Sequence, residues 1–146
     1  MRGREGSFVF HSFLFAPLSV SQFVDLYPSV LRWNADLPYI LRKHSGSVGD
    51  KSRFNPDVGE VELRAMIQDV VTYPGSVALG NSSSTNDGFG AARRLVLVGR
   101  FSRSTGTKFC RSTSSKESSW VSVYCLRVVI DLETMWVVTA FPVRQV

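Results

Sequence analysis

Few side chains in this sequence could move a proton or hold a phosphate, and they fall into two groups. The first is Arg42-Lys43-His44, followed by the glycine-bearing stretch Ser45-Gly-Ser-Val-Gly49. Histidine titrates nearest to neutral pH. Two adjacent cations favour its uncharged form, which a general base must hold, and the same cations suit a phosphate. The plainer reading of the trio is a helix C-terminus carrying charge that the backbone dipole favours. The second group is Arg127, Thr139 and Phe141 near the C-terminus. A guanidinium fork matches phosphate oxygens, a threonine hydroxyl adds a hydrogen bond, and an aromatic ring stacks a base. Thr139 is equally well explained by β-propensity alone. Arg94 is a further candidate cation.

Other chemistries find no foothold. The only histidines, His11 and His44, have no partner at metal-ligand spacing, and the only cysteines, Cys110 and Cys125, make no CxxC pair. Neither a metal nor another cofactor is expected. No GxSxG elbow, GxxxxGK[ST] loop or HExxH helix occurs, and Gly88-Phe-Gly90 is too short a pattern to mean more than a loop. Cys125 sits in an apolar run and reads as a small core residue. Cys110 sits in a Ser/Thr-rich stretch, so one bridge between the two is allowed but not required.

The elements that would position these residues follow from punctuation and period. An apolar strand or arm begins at Phe8, and Ser21–Tyr27 has helical spacing before Pro28. Asp36-Leu-Pro-Tyr-Ile-Leu-Arg-Lys-His-Ser-Gly46 predicts a helix capped by Asp36 or Leu37, with Pro38 in its first turn and Gly46 at the left-handed C-terminal position. A second helix is expected from the Asp57/Glu60 pair onward. Leu63, Met66, Ile67, Val70 and Val71 mark its apolar face, and Tyr73-Pro74-Gly75 stops it. Beyond that the period changes to two. Ser76–Leu79, Arg94–Phe101, Trp120–Ile130 and Met135–Val143 read as strands, the last two joined by Asp131-Leu-Glu-Thr134 as a hairpin.

Within that hairpin Val121, Val123, Cys125, Arg127 and Val129 would share one face, and Met135, Val137, Thr139 and Phe141 another. Pairing Ile130 with Trp136 sets Arg127 opposite Thr139, whereas pairing it with Met135 parts them. Residues 102–119 hold seven Ser, three Thr, four basic residues and one acidic residue, which predicts a mobile loop. The fold class is therefore α+β: N-terminal helices packed on one face of an antiparallel β-sheet of about four strands, in one domain over residues 1–146.

Composition agrees. At 146 residues, 44% hydrophobic and 20% charged, the chain has enough apolar material for a core, which argues against wholesale disorder. Its longest apolar stretch, Phe8–Val20, is broken by His11, Ser12, Pro17 and Ser19, well short of the ~20 residues that cross a bilayer. Arg2 and Arg4 precede it as in a signal peptide, but no clear cleavage site follows. The net charge of +5 is uneven: residues 1–73 carry eight basic and eight acidic side chains, and residues 74–146 nine and four. A positive half suits a polyanion such as nucleic acid, or is simply a soluble basic surface.

Leu37-Pro-Tyr-Ile-Leu-Arg-Lys-His-Ser-Gly46, a helix ending near Pro74, and Leu126-Arg-Val-Val-Ile-Asp-Leu-Glu-Thr-Met-Trp-Val-Val-Thr-Ala-Phe-Pro142 together resemble the Barnase–EndoU–colicin–RelE superfamily over residues 37–146. The resemblance implies a small metal-independent ribonuclease, often a toxin domain of bacterial polymorphic toxin and contact-dependent inhibition systems or a phage-borne relative. It implies His44 as the helix-borne histidine, Thr139 and Phe141 as the hydroxyl and aromatic of the last strand, and Arg127 or Arg94 as the cationic strand position. Arg42 and Lys43 would help hold the phosphate. RNA, transfer RNA included, is the implied substrate, and an immunity protein the implied partner. The implied place of action is the bacterial cytoplasm, reached as part of a larger secreted toxin. His11 lies outside the matching region, and the Ser-rich stretch departs from compact members of the group. Three alternatives remain: a non-catalytic nucleic-acid-binding module, a toxin-type ADP-ribosyl transferase, and a structural interaction domain.

Overall fold

In the computed structural model, which describes residues 16–18, 31–45, 52–81, 93–111 and 118–144, both of the described helices form where the punctuation puts them. Helix α1 spans Leu37–Lys43. Asp36 caps it, its carboxylate accepting the Tyr39 backbone N–H at 3.1 Å, and Pro38 lies in the first turn, where no donor is lost. The helix closes at His44, two residues before the glycine expected to end it. Helix α2 spans Glu60–Thr72 and starts later than expected: Gly59 is the N-cap, and the Glu62 carboxylate accepts its N–H at 2.9 Å. Leu63, Ile67, Val70 and Val71 form its buried stripe, and Met66 is half-buried beside them.

Nine strands complete the described chain: β1 (Ala16–Leu18), β2 (Asn34–Ala35), β3 (Arg53–Phe54), β4 (Ser76–Asn81), β5 (Arg93–Arg100), β6 (Gly106–Arg111), β7 (Ser118–Val123), β8 (Cys125–Asp131) and β9 (Trp136–Val143). They make two sheets in place of the single one of about four strands that the periodicity predicts. The larger has the order β1-β4-β5-β8-β9-β2, antiparallel except for the β9–β2 pair, and the smaller the order β3-β6-β7, antiparallel throughout. Helix α2 packs across β5 and β8, and α1 against α2 and β9. The core lies between: Leu95 and Leu97 of β5, and Leu126, Val128 and Ile130 of β8, meet the buried stripe of α2 and Ile40 of α1. Gly99 allows this approach, since a Cβ there would lie 2.8 Å from Val70 Cγ2.

Two expectations change for a common reason. Of residues 102–119, Gly106–Arg111 and Ser118–Ser119 are strand, not mobile loop, with 112–117 outside the described residues. The run Trp120–Ile130 is two strands, broken at Tyr124, where the chain leaves the small sheet for the large one. Thr105, 2% exposed, holds the crossing. Its hydroxyl lies 2.8 Å from the Cys125 carbonyl and 3.2 Å from that of Val123, its N–H donates to the Val123 carbonyl, and the Phe101 N–H donates to the Tyr124 carbonyl. Backbone groups that would otherwise be stranded at the corner are thereby satisfied.

The hairpin register is neither of the two expected. Val137 pairs with Ile130, but Thr139 pairs with Val129 and Phe141 with Arg127, so Val138 is an extra, bulged residue. A bulge flips every later side chain to the other face. Val137 therefore faces the helices, while Thr139 and Phe141 join Arg127 on the opposite face and do not share one with Val137. Arg127 meets Phe141, not Thr139. The apolar arm before Ala16 and the helix over Ser21–Tyr27 lie outside the described residues, as does Gly46.

Candidate active site

His44 is held on every side by consequences of local sequence. As the C-cap of α1 it donates its N–H to the Ile40 and Leu41 carbonyls, and its own carbonyl accepts the Phe54 N–H at 3.1 Å, which ties β3 to the helix end. Its ring Nδ1 lies 2.9 Å from the Ser52 carbonyl oxygen. A carbonyl only accepts, so Nδ1 carries the proton and the neutral ring presents Nε2 as its basic nitrogen. The imidazole stacks on Phe141, centroids 5.2 Å apart and planes 18° apart, and Phe54 meets it edge-on at 6.2 Å. It is only 6% exposed.

His44 is nevertheless one of the residues that border a cleft, with its Nε2 buried beneath the surface. A cleft of about 400 Å³ is lined by His44 and Ser45 at the end of α1, by Arg53, Phe54 and Asn55, and by Thr107 of β6. Arg53 pairs with Thr107 across β3 and β6. The close fit of the two sheets depends on Gly106, where a Cβ would collide with the Arg53 carbonyl and lie 2.7 Å from Pro142 Cγ of β9. A second cleft, about 240 Å³, lies beside α2 and carries Asp57, Glu62 and Asp69 against one cation, Arg103. Three carboxylates there would repel a polyanion.

The expected site residues divide into those near His44 and those apart from it. Phe141 is in contact with His44, and Arg127 is behind Phe141, its guanidinium carbon 6.0 Å from that ring centroid. Burial draws the Arg127 guanidinium below its usual value. Thr139 is on the same face, two residues along β9, and its hydroxyl and the Arg127 Nε have no hydrogen-bond partner among the described residues. None of these three lines the cleft. Arg42 is exposed, and Lys43 lies against Tyr39, its Nζ 5.9 Å from the ring centroid, so neither reaches the cleft. Arg94 is opposite Asp131, four residues along β5 from Val98, the residue opposite Arg127. That spacing is about 13 Å along the strand, so Arg94 stands apart. His11 lies outside the described residues.

Sequence reading missed Arg53 and Thr107. One is on a two-residue strand after a polar loop, and the other is in the segment taken for loop, so neither carried a periodic signal. Among the described residues no group of three His, Cys, Asp or Glu could hold a metal ion, and no helix is long and apolar enough to cross a membrane. Both cysteines are free, Cys125 buried as expected and Cys110 half-buried on β6. Compared with known proteins, the chain matches no family model, no curated protein and no solved structure at a significant level.

Proposed function

We propose that the chain is an endoribonuclease of the metal-independent, toxin-like kind, with His44 as its proton carrier. The observation that carries this reading is His44: its tautomer is set by the Ser52 carbonyl, its ring plane is set by Phe141, and the residue borders a cleft that Arg53 also lines. A general base needs a fixed orientation before it needs strength, and a phosphoryl centre needs fixed positive charge.

The reaction follows from these groups. Because Nε2 of His44 is buried, the cleft wall must yield for the substrate to reach it. Nε2 then takes the proton of a ribose 2′-hydroxyl, O2′ bonds to the adjacent phosphorus, and the P–O5′ bond breaks as O5′ takes a proton from solvent. The products are a 2′,3′-cyclic phosphate and a 5′-hydroxyl. Arg53 faces the negative charge that gathers on the phosphoryl oxygens. Arg127 adds a less direct positive field from behind Phe141, and Phe141 orients the imidazole in place of stacking a base. DNA lacks the nucleophile, so only RNA is cut.

Resemblance extends the reading to a bacterial toxin that acts in the cytoplasm and is restrained by an acidic immunity protein. The test is cleavage of total RNA and transfer RNA in EDTA, with and without His44→Asn. Asparagine keeps an N–H for the Ser52 carbonyl but moves no proton. Loss of general acid–base catalysis costs ~10²–10⁴-fold in rate. Intact RNA at every protein concentration would end the proposal. Salt-sensitive binding that ignores His44→Asn, with no cleavage, would leave a binding module in its place.

A further inference from the structure

We infer that one face of the small sheet is a stacking subsite for an unpaired nucleobase next to the one whose ribose is attacked, with Arg53 in contact with the base and Trp120 as its positioning residue. The inference rests on the reading of the His44 cleft as an RNA site and names what lies beyond its rim.

Register places the parts on one face. Thr107 pairs with Arg53 on one side and Ser122 on the other, and Phe109 pairs with Trp120 one pleat along β6 and β7. Residues two apart on a strand share a face, so Arg53, Thr107, Phe109 and Trp120 form one surface. Two of them, Arg53 and Thr107, also line the cleft with His44. The same face therefore joins the cleft that His44 borders to the Trp120 ring.

Its chemistry is that of a stacking ladder. The Arg53 guanidinium carbon sits 3.6 Å from the centre of the Trp120 ring, contact distance for a planar cation laid on an aromatic face. Trp120 is backed by Phe109, centroids 5.2 Å apart and planes inclined by 62°. A long, flexible arginine is thus held flat at the cleft by a ring that is itself buttressed. Unpaired bases stack on guanidinium planes and aromatic rings alike, largely without regard to base identity. A duplex hides those faces, so the subsite selects single-stranded RNA and leaves base choice open.

The experiment measures binding and cleavage separately on the full chain. Anisotropy of a labelled single-stranded 2′-deoxy dodecamer, which no 2′-hydroxyl chemistry can cut, reports binding apart from cleavage, and the Trp120 variants isolate the part due to the subsite. Trp120→Ala is expected to weaken it about tenfold, within the range for loss of one stacked base, and Trp120→Phe to restore most of it. The same sequence as a duplex binds native protein more weakly than the single strand. Because Trp120→Ala removes half-buried apolar surface, Trp120→Leu is the second variant: it keeps the bulk and removes the stacking face, and it too weakens binding. With RNA, Trp120→Leu raises KM for a dodecamer and, because Trp120 also holds Arg53 at the cleft, lowers kcat as well, and Trp120→Phe restores most of both. Single-strand binding that is absent, or unchanged in both variants, overturns the subsite. A native protein that binds the single strand with this Trp120 dependence yet never cuts RNA overturns the ribonuclease reading and leaves the subsite standing.

Discussion

The two sheets are built from different material, and the contrast explains where the chemistry lies. The six-stranded sheet buries Leu95, Leu97, Leu126, Val128 and Ile130 beneath two helices, so its geometry is set by close packing. The three-stranded sheet mixes Ser, Thr and Gly with basic residues, three aromatics and two valines, and of its residues only Phe54 belongs to the main core. It is held instead by specific devices: the Thr105 hydroxyl at the sheet crossing, the clearance at Gly106 and the Arg53–Trp120 stack. A rigid scaffold thus presents Phe141 as a fixed surface for His44, and a lightly anchored sheet supplies the cation and the cleft wall.

The sharpest way to break that contrast is in the large sheet. Leu126→Ala empties a fully buried site beneath α2 and is expected to cost about 2–5 kcal/mol of stability, read as a lowered midpoint in urea. Next comes Gly106→Ala. Its Cβ collides with the Arg53 carbonyl, so β6 must draw back. We expect about 1–3 kcal/mol of strain or local unfolding, a smaller loss than for Leu126→Ala, yet with RNA cleavage reduced far more than the midpoint suggests. A Gly106→Ala protein of native activity would mean the small sheet does not shape the site. Smallest is Asp36→Ala, which removes the α1 cap and is expected to cost about 1 kcal/mol in the same urea titration, since it loosens the helix that ends in His44 without touching the ring.

Where apolar spacing decided the outcome, the fold was legible. Leu63, Ile67, Val70 and Val71 declared α2, because burial on one face leaves a period in the chain, and the apolar run Trp120–Ile130 declared a strand but not its break at Tyr124. Asp36 and Pro38 declared α1 by cap chemistry. Of the small sheet only Trp120–Val123 declared itself, while Arg53–Phe54 and Gly106–Arg111 left no such trace, since short polar strands pair through the backbone and look like loop. The bulge at Val138 was equally silent, and it alone decides that Thr139 and Phe141 face Arg127. For the site, His44 stood out by type and by its place at a helix end, and Phe141 proved to be its neighbour. Arg53 and Thr107 did not, because distant pairing brings them to the cleft. Arg94 was over-read: a strand arginine near in sequence pattern is far in register.

The most direct test of the account is the mapping of RNA ends after incubation in EDTA with native protein and with His44→Asn. The native chain is expected to leave 2′,3′-cyclic phosphate ends, and the variant to form them at a rate lower by roughly 10²-fold or more. Ends of that kind formed equally fast by His44→Asn would contradict the role of His44 as proton carrier.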